Sequence, residues 1–209
     1  MARVDDYQMS FDLAARELAG RDFAELAELA GARWDDGAGF LEMDYLGRPL
    51  RVGGDPLTVV ARDQGPEIPL AEQALVLHYL VGAKGKEPSG NWITFREVPS
   101  GEFYWSAFVK RAKDPLVGFF GRQPGLLLEL APLVGGTPAP EMAGDTAVIV
   151  RAFPRVPLLI QLWEGDEEFP ADGNVLFDET VAEYLSTEDI ALTAGLPIYK
   201  MMALARQRS

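Results

Sequence analysis

Two apolar runs rich in β-branched residues, TAVIVRAF (146–153) and VPLLIQLW (156–163), are separated by nothing but Pro154 and Arg155. Composition and length make each a strand, and so short a connection makes them a pair. They form the strongest strand pair in the chain, and the remaining segments have to supply what packs on it. A chain of 209 residues suits one large domain, and no linker is long enough to divide it.

Other segments announce themselves by period. Residues 10–31 repeat apolar side chains at helical spacing (Leu13, Leu18, Phe23, Leu26, Leu29), with Asp22 and Glu25 as a capping-box-like restart beyond Gly20. From Phe40 the period becomes two, with Leu41, Met43 and Tyr45 alternating against Glu42 and Asp44. A turn at Gly47-Arg48-Pro49 and a further strand over 57–61 complete a small antiparallel meander. Pro69 to Val81 is apolar nearly all round and reads as a buried central helix. WITF (92–95) reads as a short strand, FYWSAFVKRA from Phe103 as a helix ending at Asp114-Pro115, and Gln123 to about Ala131 as another helix. GGTPAPEMAG reads as a loop. Asp178 can cap a helix through Tyr184, and Ser186 or Thr187 a last one to about Arg206 that Gly195 and Pro197 should kink or divide. The expected fold is α+β, a single domain in which a small antiparallel sheet packs against the apolar helix carrying His78.

Charge narrows the function classes. Nineteen Lys and Arg against 32 Asp and Glu give a net charge of −13, which opposes binding to nucleic acid or anionic membranes. No apolar run approaches the roughly 18 residues of a membrane span, and the N-terminal residues lack a signal-peptide apolar region, so a cytoplasmic location is expected. There is no cysteine, hence no disulfide, thiolate nucleophile or cysteine-ligated cluster in this chain. Val156 to Tyr199 holds ten acids and no Lys or Arg, while Lys84 to Arg122 holds seven cations against four acids, two segments expected to neutralise one another.

Three groups of residues could carry chemistry. The acids Glu164, Asp166, Glu167, Glu168 and Asp172 follow Trp163 and offer oxygen ligands for a divalent metal; Pro170 in a ligand position rejects a calcium-binding EF-hand loop. His78 is the only histidine, which excludes two-histidine zinc motifs; a catalytic triad would have to use it, and no GxSxG motif is present. Among Leu75, Leu77, Leu80 and Val81 it reads as a core residue hydrogen-bonded to a neighbour, with an axial ligand to a metal or tetrapyrrole as the sharper alternative. Finally, Trp92, Phe95, Phe103, Tyr104, Trp105 and Phe108 crowd into seventeen residues with Arg96, Lys110 and Arg111. Such a segment packs in a core or lines a pocket for a flat or anionic ligand, and Arg96 is expected within salt-bridge reach of a carboxylate between Glu164 and Asp178. Neither Gly53-Gly54 nor Gly135-Gly136 has nucleotide-loop spacing.

The segments LHYL (77–80), WITFREVPSGEFYWSAFVKR (92–111), VPLLIQLWEGDEEFPADGNVLFD (156–178) and YLSTEDIA (184–191) resemble the bacterial and archaeal domain-of-unknown-function family 3786, over roughly residues 12–191. The resemblance implies no established activity. It suggests members from anaerobes, some fused to a cysteine-rich iron–sulfur segment. This sequence departs from the pattern in having no cysteine, in Glu183 where a histidine is expected and in Ser186 where proline is common.

The functional expectation is a small-molecule or cofactor-binding module with its pocket between the WITFRE segment and the WEGDEEFP loop; sequence leaves the cofactor and oligomeric state open. The alternatives are a noncatalytic protein presenting an acidic face to a basic or redox partner and, more weakly, a metal-dependent hydrolase.

Overall fold

The computed structural model describes residues 4–208. Helices α1 (Val4–Leu18) and α2 (Phe23–Ala30) open the chain, separated where Gly20 interrupts the helical pattern. Asp22 accepts from the backbone N–H groups of Ala24 and Glu25, so the Asp22 half of the predicted capping box is formed, without a return bond from Glu25. Strands β1 (Arg33–Asp35), β2 (Phe40–Tyr45), β3 (Arg48–Gly53) and β4 (Thr58–Ala61) follow as the expected meander, each antiparallel to the next. The turn lies one residue earlier than predicted, at Leu46-Gly47, both left-handed, and β3 begins at Arg48. Along β2, Leu41, Met43 and Tyr45 are buried as the alternation requires, and Glu42 is buried as well.

Helix α3 (Leu70–Gly82) runs through the centre, with Leu75, Val76, Leu77, Tyr79 and Leu80 all in the core. Beyond it come β5 (Trp92–Ile93), α4 (Gly101–Phe108), α5 (Asp114–Phe120), α6 (Pro124–Leu130), β6 (Gly136–Pro138), β7 (Thr146–Phe153), β8 (Val156–Trp163) and β9 (Asp172–Asp178). A 3-10 turn capped by Asp178 leads to the last helix, α7 (Thr187–Arg208). The β7–β8 hairpin turns on Pro154-Arg155 and lies at the heart of a second antiparallel sheet, ordered β5-β9-β8-β7-β6. There are thus two sheets where one was expected, and β6 forms an edge strand inside the GGTPAPEMAG segment read as loop. The main apolar core reaches from Ala14 in α1 to Ala205 in α7 and includes both sheets, with a small second cluster around Ala139, Ala147 and Leu159 on the other face of the second sheet, so the α+β class holds.

The sheets meet at a backbone contact. A bulge at Ala152 in β7 leaves its carbonyl to accept from the N–H of Leu46 at 3.1 Å. There Gly47 and Gly135 face each other: a Cβ on Gly47 would sit 2.6 Å from the nitrogen of Gly135, which only glycine avoids. Gly135-Gly136 therefore serves close packing.

Two predicted helix ends are corrected. The aromatic helix does not stop at Asp114-Pro115; it passes through a π turn (Val109–Lys113) into α5. Proline offers no N–H to the carbonyl four residues back, that of Arg111, and the widened turn lets this oxygen turn aside. It lies against Gly195 of α7, where a Cβ would come within 2.4 Å of it. Nor is α7 divided: it remains one helix through Gly195 and Pro197, both buried. Gly195→Ala, usually favourable in a helix by up to about 1 kcal/mol, is therefore expected to destabilise the protein by about 1–3 kcal/mol in urea denaturation, with an unchanged midpoint counting against this contact.

Candidate functional site

The two segments expected to enclose the pocket meet opposite ends of β9. Residues Trp92 and Ile93 pair with Asp178 and Phe177 at one end of the strand, while Trp163 pairs with Asp172 at the other. Seven residues of strand separate these ends by about 20 Å. The expected pocket between WITFRE and WEGDEEFP therefore has no common floor, and the expectation for Arg96 is corrected: its guanidinium lies 4.3 Å from the centre of the Trp105 ring and 3.7 Å from Glu102. The aromatic–basic segment folds on itself because residues a turn apart on α4 and its approach meet first. Phe95 stacks on Phe108 at 4.5 Å in the core, and Trp92 packs against the opposite face of the sheet with Leu159 and Leu176. Tyr104 is exposed and Arg111 half-buried on the π turn.

The acidic loop does not gather into a metal centre. Asp166 turns inward to accept the backbone N–H groups of Glu168 and Phe169, which hold its carboxyl below the usual range. Asp172 pairs with Lys113 at 2.9 Å, while Glu164, Glu167 and Glu168 point outward. Among the described residues no three His, Cys, Asp or Glu side chains come together as a metal-binding group. The mutual neutralisation of acidic and basic segments is partly real, carried by Lys113–Asp172 and by Lys84 and Lys86 on Glu183, at 3.0 and 3.6 Å.

The residue that does stand in a site is His78. It projects from α3 at the point where α1 and the start of α7 cross it, and its side chain is 30% exposed rather than buried in the core. Its Nε2 lies 2.9 Å from the Ser10 hydroxyl on α1, and its Nδ1 lies 3.1 Å from both oxygens of Asp189 in the first turn of α7. Asp189 is fixed in turn by Ser186, whose hydroxyl donates to it at 2.7 Å and accepts its backbone N–H at 3.2 Å. This reciprocal cap holds the carboxylate in one rotamer. Leu13, Ala14, Val81, Leu185 and the charged groups Glu17, Lys84 and Glu183 complete the walls of a 530 Å³ cleft around the imidazole. A larger, more apolar cleft of 610 Å³ lies on the other side of α1, against Phe11, Phe23, Trp34 and Leu57.

The order Ser10–His78–Asp189 matches the roles of a hydrolytic triad, in which the acid orients the imidazole and the imidazole faces the hydroxyl. Two features set its chemistry differently. The hydrogen bond that His78 donates to Asp189 raises the His78 pKa above its ordinary value, against the opposing effect of burial, and the charges of Asp189, Glu17 and Glu188 add to the rise. The shift favours the imidazolium, in which both nitrogens donate and Nε2 has no lone pair to offer Ser10. Ser10 also lies inside α1, so the backbone N–H groups beside it are spent within the helix and form no oxyanion hole. The arrangement is a fixed hydrogen-bond donor at the wall of a cleft, with a hydroxyl beside it.

Sequence reasoning found His78 and missed both partners, which lie 68 and 111 residues away in sequence. The available signal was negative: a lone histidine on an otherwise apolar helix must find partners on whatever packs beside it.

Fold and cleft together define an α+β protein with a half-buried Ser–His–Asp chain at the junction of three helices. The chain belongs to the family described as Domain of unknown function (DUF3786), which matches residues 22–200. His78 and Asp189 fall within the matched stretch and Ser10 before it. No curated protein and no solved structure gives a significant match.

The single histidine makes the site directly readable. In a proton NMR titration its Hε1 resonance is expected to report a pKa above about 6.5, and Asp189→Asn to lower it. Because the folded value is the higher one, the stabilisation from this pair is complete below the unfolded value and is lost as pH rises through the folded value. A pKa at or below the ordinary one in the wild type would contradict the geometry.

Proposed function

We propose that the protein is a cytoplasmic small-molecule-binding module whose ligand occupies the cleft at His78. The reading is carried by one observation: the only imidazole of the chain is fixed between Ser10 and Asp189 yet still opens onto a 530 Å³ cleft. Binding sites pair mostly apolar walls with a few oriented polar groups. Here Leu13, Ala14, Val81 and Leu185 provide the first, Ser10 and His78 the second. Charge selects the ligand class. Glu17, Glu183 and Asp189 face Lys84 and His78, so even with the imidazole protonated the lining is negative by one and disfavours an anion. A neutral ligand fits, with a carbonyl or amide oxygen accepting from the imidazolium or the hydroxyl and an apolar portion against the leucines.

The absence of any membrane-crossing helix among the described residues is consistent with this reading. A second reading, contact with a basic or redox partner, is favoured by the loop tip itself: Glu164, Glu167 and Glu168 are exposed with no side-chain partner among the described residues, and Phe169 is exposed beside them.

A set of neutral amides and ketones, with benzamide as its aromatic member, tests the first reading by NMR. At least one is expected to displace the His78 Hε1 resonance saturably, and Ser10→Ala to weaken that binding several-fold. A resonance that titrates normally with pH but moves with no compound at millimolar concentration would overturn it.

A further inference from the structure

A second place in the molecule gathers charge of the opposite sign. Glu42, buried on β2, is reached by three guanidiniums. Arg51 on β3 donates through Nε to Oε1 at 2.9 Å, and Arg62 beyond β4 lies 2.9 Å from Oε2. Arg33 of β1 pairs with the same Oε2. The meander creates this meeting through its register, which places Glu42 directly between Arg33 and Arg51 on neighbouring strands. The arginine hydrogen bonds, that of Arg51 foremost, hold the carboxyl below its ordinary pKa, so it remains charged and anchors all three.

One carboxylate cannot neutralise three guanidiniums. Arg33, Glu42 and Arg62 line a 430 Å³ cleft whose wall on the second sheet carries Arg151 of β7. Arg151 is exposed and makes no side-chain hydrogen bond or ion pair among the described residues, and Asp44 in the same cleft makes none either. Three guanidiniums, those of Arg33, Arg62 and Arg151, thus share the cleft with two carboxylates while Arg51 holds Glu42 from outside it, leaving the lining with a surplus of one positive charge on a protein whose net charge is −13. Each guanidinium has five N–H donors in a planar fork, and the bonds to Glu42 use only a few of them. The remaining donors are pre-positioned by a buried anchor, which lowers the entropic cost of binding an anion.

We infer that this cleft binds a phosphoryl dianion. Its negative charge meets a lining in which cations are in excess, its three terminal oxygens suit the three guanidinium forks of the cleft, and Arg–phosphate contacts of this kind are charge-assisted and bidentate. The cleft is far larger than a phosphate, and Pro49 and Pro154 give it apolar walls that an ester's organic part would contact. The site is separate from the His78 cleft and does not depend on that proposal.

Titration calorimetry with inorganic phosphate and with phenyl phosphate, at pH 8 and ionic strength held constant with sodium chloride, tests the inference. Saturable binding of both is expected, weakened at least tenfold by Arg151→Gln, which leaves the Glu42 cluster intact, and likewise by Arg62→Gln. Tighter binding of phenyl phosphate assigns the site to phosphomonoesters, and equal binding to free phosphate; either result supports the phosphoryl site. No saturable binding by the folded wild type, or binding unchanged in both variants, would overturn it.

Discussion

Helix α3 is buried on almost every side and yet carries a carboxylate, an imidazole and a phenol, and a polar group without water must find a partner or forfeit several kcal/mol. Each of the three finds its partner on different elements. Glu72 accepts from the Tyr45 hydroxyl of β2 at 2.9 Å and from Lys200 of α7 at 2.8 Å. Tyr79 donates to the carbonyl of Ala30, at the end of α2, and accepts the N–H of Arg155 in the β7–β8 turn. His78 reaches α1 and α7. Apolar packing places these elements around α3; the polar groups fix their angle and register. Aromatic contacts reinforce the same axis, for Tyr79 stacks on Phe153 at 4.4 Å and on Tyr184 at 5.4 Å.

The functional chemistry follows from how completely each polar group is enclosed. Glu72 and Tyr79 are sealed in and serve the fold. His78, one residue along the helix from Tyr79, faces the edge of the core, so the same requirement for partners produces a site rather than a buried bond. Asp178 shows the structural extreme: burial pushes its pKa up, but hydrogen bonds from Thr180 and from the backbone N–H groups of Gly90 and Ser89 outweigh this and hold it ionised, fastening the loop before β5 to the end of β9. The two charged clefts are likewise distinguished by their surroundings. In the cleft at His78 acids outnumber cations; in the cleft at Glu42 cations outnumber acids by one.

Much of this was legible in the sequence wherever local chemistry decides. The hairpin at Pro154-Arg155, the meander, the buried helix and the caps at Asp22, Asp178 and Ser186 rest on period and composition. The π turn was not legible, because its cause is split between Pro115 and a glycine 80 residues later. The second sheet's closure was hidden as well: β5 was legible in WITF, but no strand is predicted at its partner β9, and β6 is too short to show a period. For the candidate site, His78 was visible as an anomaly, but its meaning lay in Ser10 and Asp189, which no local pattern joins to it. Arg96 misled for the opposite reason: its context suggested a long-range partner, whereas Trp105 and Glu102 were already within reach.

The account stands on His78 being bonded to Asp189 as the geometry describes, and a double-mutant cycle measures that directly. Urea unfolding of the wild type, His78→Gln, Asp189→Asn and the double variant should give a favourable coupling of about 0.5–3 kcal/mol at pH 6, diminishing at pH 8.5 as the imidazolium deprotonates. Additive effects of the two substitutions at both pH values would contradict it.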